Sequence, residues 1–112
     1  MPTSLQQEQQ PIDEAIVQCV VANVPKDWTS AILTLERQKQ AAGLGDFAHT
    51  LSSGDGHRPA MPDDSLFDAT FRLDEVFRRY GAFLTRVTYR IEQRLDGQWK
   101  YVADYQHEKR AA

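Results

Sequence analysis

The apolar residues recur at two different spacings along the chain, and each spacing predicts a different kind of element. Steps of three and four residues occur from Pro11 to Val24 and from Ser65 to Tyr80, which places the apolar side chains on one face of a helix. Alternation with a period of two is typical of half-buried strands. The strands are predicted over residues 28–37, 46–52, 84–94 and 98–106.

The first predicted helix has a clear beginning and a clear end in the sequence. Pro11 suits the first helical turn, where a missing N–H costs little, and Asp13 and Glu14 would then lie near the positive end of the helix dipole. Pro25 ends the helix, because the residue before a proline avoids the helical region. The expected apolar face consists of Ile12, Ile16, Cys19 and Val20.

The two connections before the second helix are polar and contain glycine or proline. Residues 38–45 include two glycines and predict a hairpin connection. Residues 53–64 include two glycines and two prolines and predict a loop. In the helix that follows, Asp64 or Ser65 is expected to cap the first turn.

The last two strands predict a specific hairpin register. A two-residue Asp96-Gly97 loop would set apolar residues of one strand opposite charges on the other. A three-residue loop of residues 95–97 instead pairs Tyr89 with Ala103 and Glu92 with Lys100, which keeps one face apolar. We therefore predict a type I turn with Gly97 in the left-handed conformation.

The order of elements, α-β-β-α-β-β, predicts an α+β fold with a single antiparallel sheet of about four strands and two main helices packed on it. One domain is expected over residues 11–107, with flexible tails at 1–10 and 108–112. The chain of 112 residues fits one domain of this kind. The strands of the last hairpin should meet the helix that carries Leu73, Val76 and Phe77.

Composition limits the cellular compartment and the class of protein that we expect. Cys19 is the single cysteine, so an intramolecular disulfide is excluded. No apolar run approaches the roughly 20 residues of a membrane span, and the first ten residues lack the basic and apolar regions of a signal peptide. The expected location is the cytoplasm, with no membrane partner.

The net charge of −3 is unevenly distributed. Residues 1–65 contain four basic and nine acidic residues, a net charge of −5, and residues 66–112 contain nine basic and seven acidic residues, a net charge of +2. A nucleic-acid binder normally shows a dense basic stripe, so no direct nucleic-acid partner is expected. The charges are either a solvated surface or an acidic half that meets a basic partner.

No motif in the chain predicts catalysis, a metal or a cofactor. His49, His57 and His107 lack the spacing of zinc ligands. Cys19 lies on the apolar face of the first helix and is expected to be a small buried hydrophobe. Adjacent carboxylates such as Asp63-Asp64 are far more often helix caps than an acid–base pair.

Several strings nevertheless resemble the YezG-like antitoxin (immunity) family of bacterial polymorphic toxin systems. One is the step Val24-Pro25-Lys26-Asp27-Trp28 after the opening helix. Another is Leu-Asp-Glu-Val-Phe at residues 73–77. A third is the closing hairpin, with Leu84-Thr85-Arg86-Val87-Thr88-Tyr89-Arg90-Ile91, then Asp96-Gly97-Gln98-Trp99-Lys100-Tyr101 and Asp104-Tyr105. The resemblance covers about residues 12–107, and the middle segment 38–64 departs from the family pattern.

The resemblance implies a non-enzymatic protein that binds a cognate toxin and blocks its active site or an exosite. Toxins of such systems are often nucleases, whose basic surface would attract an acidic inhibitor. The candidate toxin-binding residues are Asp46, Asp55, Asp63 and Asp64, on or beside the irregular middle segment.

Two other functions remain open. A small acidic secretion chaperone that binds an effector segment has the same size, charge and fold class, and a homodimer is then an open alternative. A small enzyme or ligand-binding domain would need a deep pocket with a buried carboxylate or histidine. The sequence does not place such a pocket.

Overall fold

A computed structural model describes residues 5–40 and 43–109, and within these the side chains of 39, 40, 43–46, 108 and 109 are left undescribed. The helices are α1 (Leu5–Asn23) and α2 (Asp64–Arg79). The strands are β1 (Ser30–Gln40), β2 (Gly43–Ser53), β3 (Pro59–Ala60), β4 (Ala82–Gln93) and β5 (Trp99–Lys109). The strands form one antiparallel sheet in the order β3-β2-β1-β4-β5. The predicted α+β class and single sheet are confirmed.

Both helices cover the same face of the sheet. On β1, Ala31, Leu33 and Leu35 are buried, whereas Ile32 and Thr34 between them are only partly buried. Because side chains on a strand alternate between faces, this pattern defines one covered face and one open face. The core joins this face to the buried residues of α1 and α2. The open face of the sheet carries charged residues such as Arg86 and Arg90.

Helix α1 begins earlier than the sequence predicts. It starts at Leu5, so Pro11 lies inside the helix and not in its first turn, and residues 5–10 are helical where a tail was expected. Glu8 explains the extension: its carboxylate accepts a hydrogen bond from the Tyr80 hydroxyl and pairs with Arg79 at 2.9 Å. Contacts with the end of α2 therefore stabilise two additional turns that proline alone would disfavour.

The buried face of α1 also differs from the predicted face by about one position around the helix. Its buried residues are Asp13, Ile16, Val17 and Val20, whereas the prediction placed Ile12 and Cys19 there. These two residues are partly buried and pack against the edge of the core. Partial burial, and secondarily the charge of Asp63, raises the pKa of the Cys19 thiol.

The first hairpin is longer than predicted. β1 and β2 continue to Gln40 and Gly43, so the polar segment 38–45 is largely strand, and residues 41–42 lie outside the described residues. The pairing shifts register between Arg37 and Lys39. Hydrogen bonding along the ladder continues past Leu35, the last buried side chain described on β1, and the hydrophobic pattern does not predict this extension.

The segment 53–64, which was predicted to be a loop, contains the additional short strand β3, so the sheet has five strands among the described residues. A turn is closed by the Gly56 N–H donating to the Ser53 carbonyl at 2.8 Å. β3 then pairs with Leu51 and Ser52 of β2. Its two residues are too few for an alternating pattern, and Pro59 argues against a strand from sequence.

The final hairpin has the predicted register. Tyr89 faces Ala103, and Glu92 faces Lys100. Gly97 has φ +88°, and its N–H donates to the Arg94 carbonyl at 2.9 Å. The three-residue loop with a left-handed Gly97 is thus confirmed. Phe77 of α2 stacks on Tyr105 with ring centroids 5.5 Å apart, which confirms the predicted contact between this hairpin and α2.

Candidate functional site

The outward face of α2 carries two exposed aromatic rings. Helix α2 is strongly amphipathic: Leu66, Leu73 and Phe77 are buried, whereas Phe67 and Phe71 on the other side are 43% and 60% exposed. Two phenylalanines one turn apart form a continuous apolar surface. Exposed apolar surface of this kind, with polar residues around it, is typical of an interaction site.

The two rings border a pocket of about 470 Å³ between α2 and the strands β1 and β2. The same pocket also contains a buried ion pair, a histidine and the carboxylate of Asp68. The lining residues are Arg37, Phe47, His49, Phe67, Asp68, Thr70, Phe71 and Asp74. We call this the α2 pocket.

A buried ion pair forms one wall of the α2 pocket. The Arg37 guanidinium donates to both carboxylate oxygens of Asp74, at 2.6 and 3.3 Å, and its Nε donates to the Leu84 carbonyl at 3.1 Å. It also lies 4.3 Å from the centre of the Phe47 ring. The Arg37 side chain is 5% exposed. Because the Arg37 guanidinium is held by hydrogen bonds to both Asp74 and Leu84, this wall of the pocket is preformed.

His49 lines the α2 pocket from β2. Its Nε2 lies 2.8 Å from the Thr70 hydroxyl, and its Nδ1 lies 3.2 Å from the Phe47 carbonyl. Its ring meets Phe67 edge to face at 4.7 Å. Burial lowers the pKa of His49, which the hydrogen bond to the Phe47 carbonyl only partly offsets. The imidazole is therefore neutral at pH 7.

The neutral His49 leaves the charge of the pocket to its other residues. Arg37 is balanced by Asp74 across the buried pair, and Arg78 reaches Asp74 from the rim at 3.2 Å. Asp68 forms no ion pair with any residue whose side chain is described. Arg37 and Arg78 together carry one more charge than Asp74, and Asp68 offsets it, so the α2 pocket combines aromatic rings with charges of both signs.

The predicted toxin-binding aspartates are divided between two places. Asp63 is the N-cap of α2, since its carboxylate accepts from the Leu66 N–H at 2.9 Å, so the cap lies one residue before the predicted one. This bond, followed by one from the Asn23 side chain, lowers the pKa of Asp63. Asp64 is the first residue of α2 and is exposed. These two residues lie one turn from Phe67 on the helix.

Asp55 lies in the turn that follows the C-terminal end of β2. Its carboxylate accepts from the Ser53 hydroxyl at 2.5 Å and from the His57 N–H at 3.0 Å. These two bonds, in that order, lower the pKa of Asp55. Both Asp55 and Asp63 are thus exposed, ionised residues that also hold a turn or a helix end.

Asp46 is separated from the other three aspartates. Its backbone lies on β2, seven residues before Ser53 and therefore roughly 23 Å from that end of the strand. Its side chain lies outside the described residues. The four candidates therefore do not form one cluster in the sheet.

The buried carboxylate of Asp13 on α1 was not predicted from the sequence. Asp13 is 4% exposed and accepts hydrogen bonds from the hydroxyls of Tyr89 and Tyr105 and from the Gln9 side chain at 3.2 Å. Burial, and then the charge of Asp13, raises the pKa of Tyr89. The available signal was the spacing of residues 13, 16, 17 and 20, which places Asp13 on the buried face of α1.

The described residues contain neither a metal-binding cluster nor a membrane-spanning helix. No group of three or more His, Cys, Asp or Glu residues there is arranged to hold a metal ion. Neither described helix is long and apolar enough to cross a membrane. Comparison with family models, with curated proteins and with solved structures found no match to this chain.

Proposed function

We propose that this protein is an immunity protein that binds and neutralises a cognate bacterial toxin in the cytoplasm, with a nuclease as the favoured class of toxin. The proposal starts from the resemblance of residues 12–107 to YezG-like antitoxins. The observation that carries it is the exposed aromatic pair Phe67 and Phe71 beside an acidic helix start. The binding surface would block the toxin active site or an exosite.

The aromatic pair would supply affinity. Aromatic residues that become buried at the centre of an interface account for much of the binding energy. Phe67 is already held against His49, so little conformational freedom would be lost when a partner covers it. Phe71 is the more exposed of the two and would be the main anchor.

The acidic residues would supply specificity and speed. Asp63, Asp64 and Asp68 surround the N-terminal half of α2, and a nuclease surface that binds phosphate is basic. Opposite charges accelerate the encounter and exclude partners of the wrong sign. Asp55 would extend the acidic surface at the same end of β2, and Asp46 would contribute separately, near the α2 pocket.

A secretion chaperone is the second candidate, and one observation favours it. An apolar groove of about 470 Å³ lies between α1 and β5. It is lined by Val17, Val21, Trp99 and Tyr101, among others. An extended apolar segment of an effector could occupy such a groove. A chaperone would bind an unfolded segment of its client, whereas an immunity protein would bind a folded toxin domain.

Co-expression with the product of the neighbouring gene tests the proposal. We expect the chain to restore growth and to copurify with a folded toxin domain. Phe71→Ala should raise the dissociation constant of that complex by roughly tenfold to a hundredfold. Leu95→Ala is the matched control, since Leu95 is fully exposed in the distant β4–β5 turn. An equal effect of both variants, or none from either, would contradict the proposed surface.

The acidic residues are tested in the same complex. The variant with Asp46, Asp55, Asp63 and Asp64 all changed to asparagine keeps the helix cap, because asparagine caps as well as aspartate. We expect a slower association rate and a weaker dependence of that rate on salt. Unchanged affinity and unchanged salt dependence would remove the four aspartates from the binding surface. Binding to an unfolded client segment alone would favour the chaperone.

A further inference from the structure

The outer edge of β5 pairs with no strand in the described part of the chain. β5 is the last strand in the sheet order and extends from Trp99 to Lys109. The opposite edge is partly covered, since β3 pairs with Leu51 and Ser52 of β2. An uncovered strand exposes a row of backbone donors and acceptors, which is a template for pairing with another chain.

The hairpin shows which backbone groups of β5 face outward. The Arg94 N–H donates to the Gln98 carbonyl at 2.6 Å, so Gln98 directs its C=O toward β4. These directions alternate along an antiparallel strand. The residues of β5 that direct N–H and C=O away from the sheet are therefore Trp99, Tyr101, Ala103 and Tyr105.

The first three exposed side chains on the open face of β5 stand in a self-complementary order. These are Lys100, Val102 and Asp104, with Val102 68% exposed. Lys100 makes a loose, exposed pair with Glu92 at 3.7 Å, and Asp104 makes no ion pair with any residue whose side chain is described. When two such strands run antiparallel, the basic residue of each can lie opposite the acidic residue of the other, with the two apolar residues opposite each other.

We propose that β5 pairs antiparallel with β5 of a second copy of this chain, with Val102 opposite Val102 at a two-fold axis. Each Lys100 then faces Asp104 of the second copy, and the two sheets become one continuous sheet. The four outward residues map onto one another, Trp99 with Tyr105 and Tyr101 with Ala103. Every outward N–H and C=O in this segment thereby gains a partner.

Charge favours this register over the registers in which the two-fold axis lies at a neighbouring residue. Moving the axis to residue 100 sets Lys100 opposite Lys100, and moving it to residue 104 sets Asp104 opposite Asp104. Like charges directly opposite each other are destabilising. An axis at Tyr101 or Ala103 leaves both charged residues without an opposite charge. Only the axis at Val102 pairs each lysine with an aspartate.

The groove between α1 and β5 supports the same arrangement independently. It is lined by α1 residues and by Trp99 and Tyr101 of β5, with no residue from the inner strands, so it lies along the free edge. In the proposed dimer, Tyr105 of the second copy would lie opposite Trp99 on this face of the sheet. The second copy would thus cover apolar surface that the single chain leaves open.

Charge exchange tests the dimer without any toxin. Sedimentation equilibrium of the full chain should show a dimer. Lys100→Asp and Asp104→Lys should each raise the dimer dissociation constant at least roughly tenfold, because each reverses two symmetric pairs. An equimolar mixture of the two variants should dimerise again, since every pair across the axis is then of opposite charge. The double variant K100D/D104K should dimerise alone for the same reason.

Arg72→Glu on the exposed side of α2 is the control for charge alone and should leave the dimer unchanged. A monomeric wild-type chain, or single variants that dimerise as well as wild type, would overturn the proposal. So would a mixture that stays monomeric although circular dichroism shows both variants folded. If either single variant fails to fold, Val102→Lys replaces it, since it sets two cations at the axis. A dimer that survives Val102→Lys would also overturn the proposal.

Discussion

The Tyr89 hydroxyl on β4 donates a hydrogen bond of 2.6 Å to the Asp13 carboxylate on α1, across 76 residues of sequence. Both residues are buried. The Tyr105 hydroxyl is a second donor to the same carboxylate. The position of α1 on the sheet therefore depends on a polar contact inside the apolar layer, where an unsatisfied group is costly.

Tyr89→Phe should lower the free energy of unfolding by about 1–3 kcal/mol, because it leaves a buried carboxylate with one donor fewer. Urea denaturation measures the change. Tyr101→Phe is the matched control on the same face of the sheet, since no hydrogen bond to Asp13 comes from its hydroxyl. Equal losses in the two variants would show that the hydroxyl–carboxylate contact contributes nothing specific.

Arg37→Met should destabilise the fold by about 3 kcal/mol, because it leaves Asp74 buried without the guanidinium that donates to both of its carboxylate oxygens. Arg37→Lys should lose less, since one contact can be kept while the fork geometry is lost. Chemical denaturation distinguishes the two variants. Arg58→Met removes an exposed ion pair with Asp27 and should have little effect, because exposed pairs contribute little. A large effect of Arg58→Met would contradict this ranking.

His49 should make stability depend on pH just below neutrality. Its pKa is lowered in the folded chain, chiefly by burial, so the unfolded chain binds the proton more readily. The free energy of unfolding should therefore fall as pH drops below 6.5, the ordinary pKa of this group, and should be fully retained above it. Unfolding measured between about pH 7 and pH 5.5 reports the slope.

His49→Gln should reduce that slope. His57→Gln is the matched control, since His57 lies in an exposed turn and should keep the wild-type slope. A slope that is the same in all three proteins would assign the pH dependence to groups other than His49.

Gly54→Ala should destabilise the fold by about 1–3 kcal/mol through overpacking. An added Cβ would lie 1.9 Å from the Ser30 Oγ and 2.7 Å from the Ser30 Cβ, so rotation of the hydroxyl alone cannot relieve the contact. Ser30→Gly combined with Gly54→Ala should recover part of the loss, which thermal unfolding would show. No recovery in the double variant would indicate a different cause.

Elements whose pattern is local could be predicted from the sequence. Alternation in the last hairpin, together with Gly97, was sufficient for the register, because a shift by one residue would turn every apolar side chain to the wrong face. The spacing of α2 was sufficient for a helix and for most of its buried face, because that face is apolar apart from Thr70 and Asp74.

The features that depend on distant partners could not be predicted in this way and are seen only in the folded chain. Helix α1 starts at Leu5 because Glu8 meets Tyr80 and Arg79 on another helix. Asp13 is buried because two tyrosines from β4 and β5 reach it. The α2 pocket likewise joins β1, β2 and α2. The local pattern does not identify pairing between groups far apart in the chain, since a buried polar residue differs from an exposed one only through its distant partners.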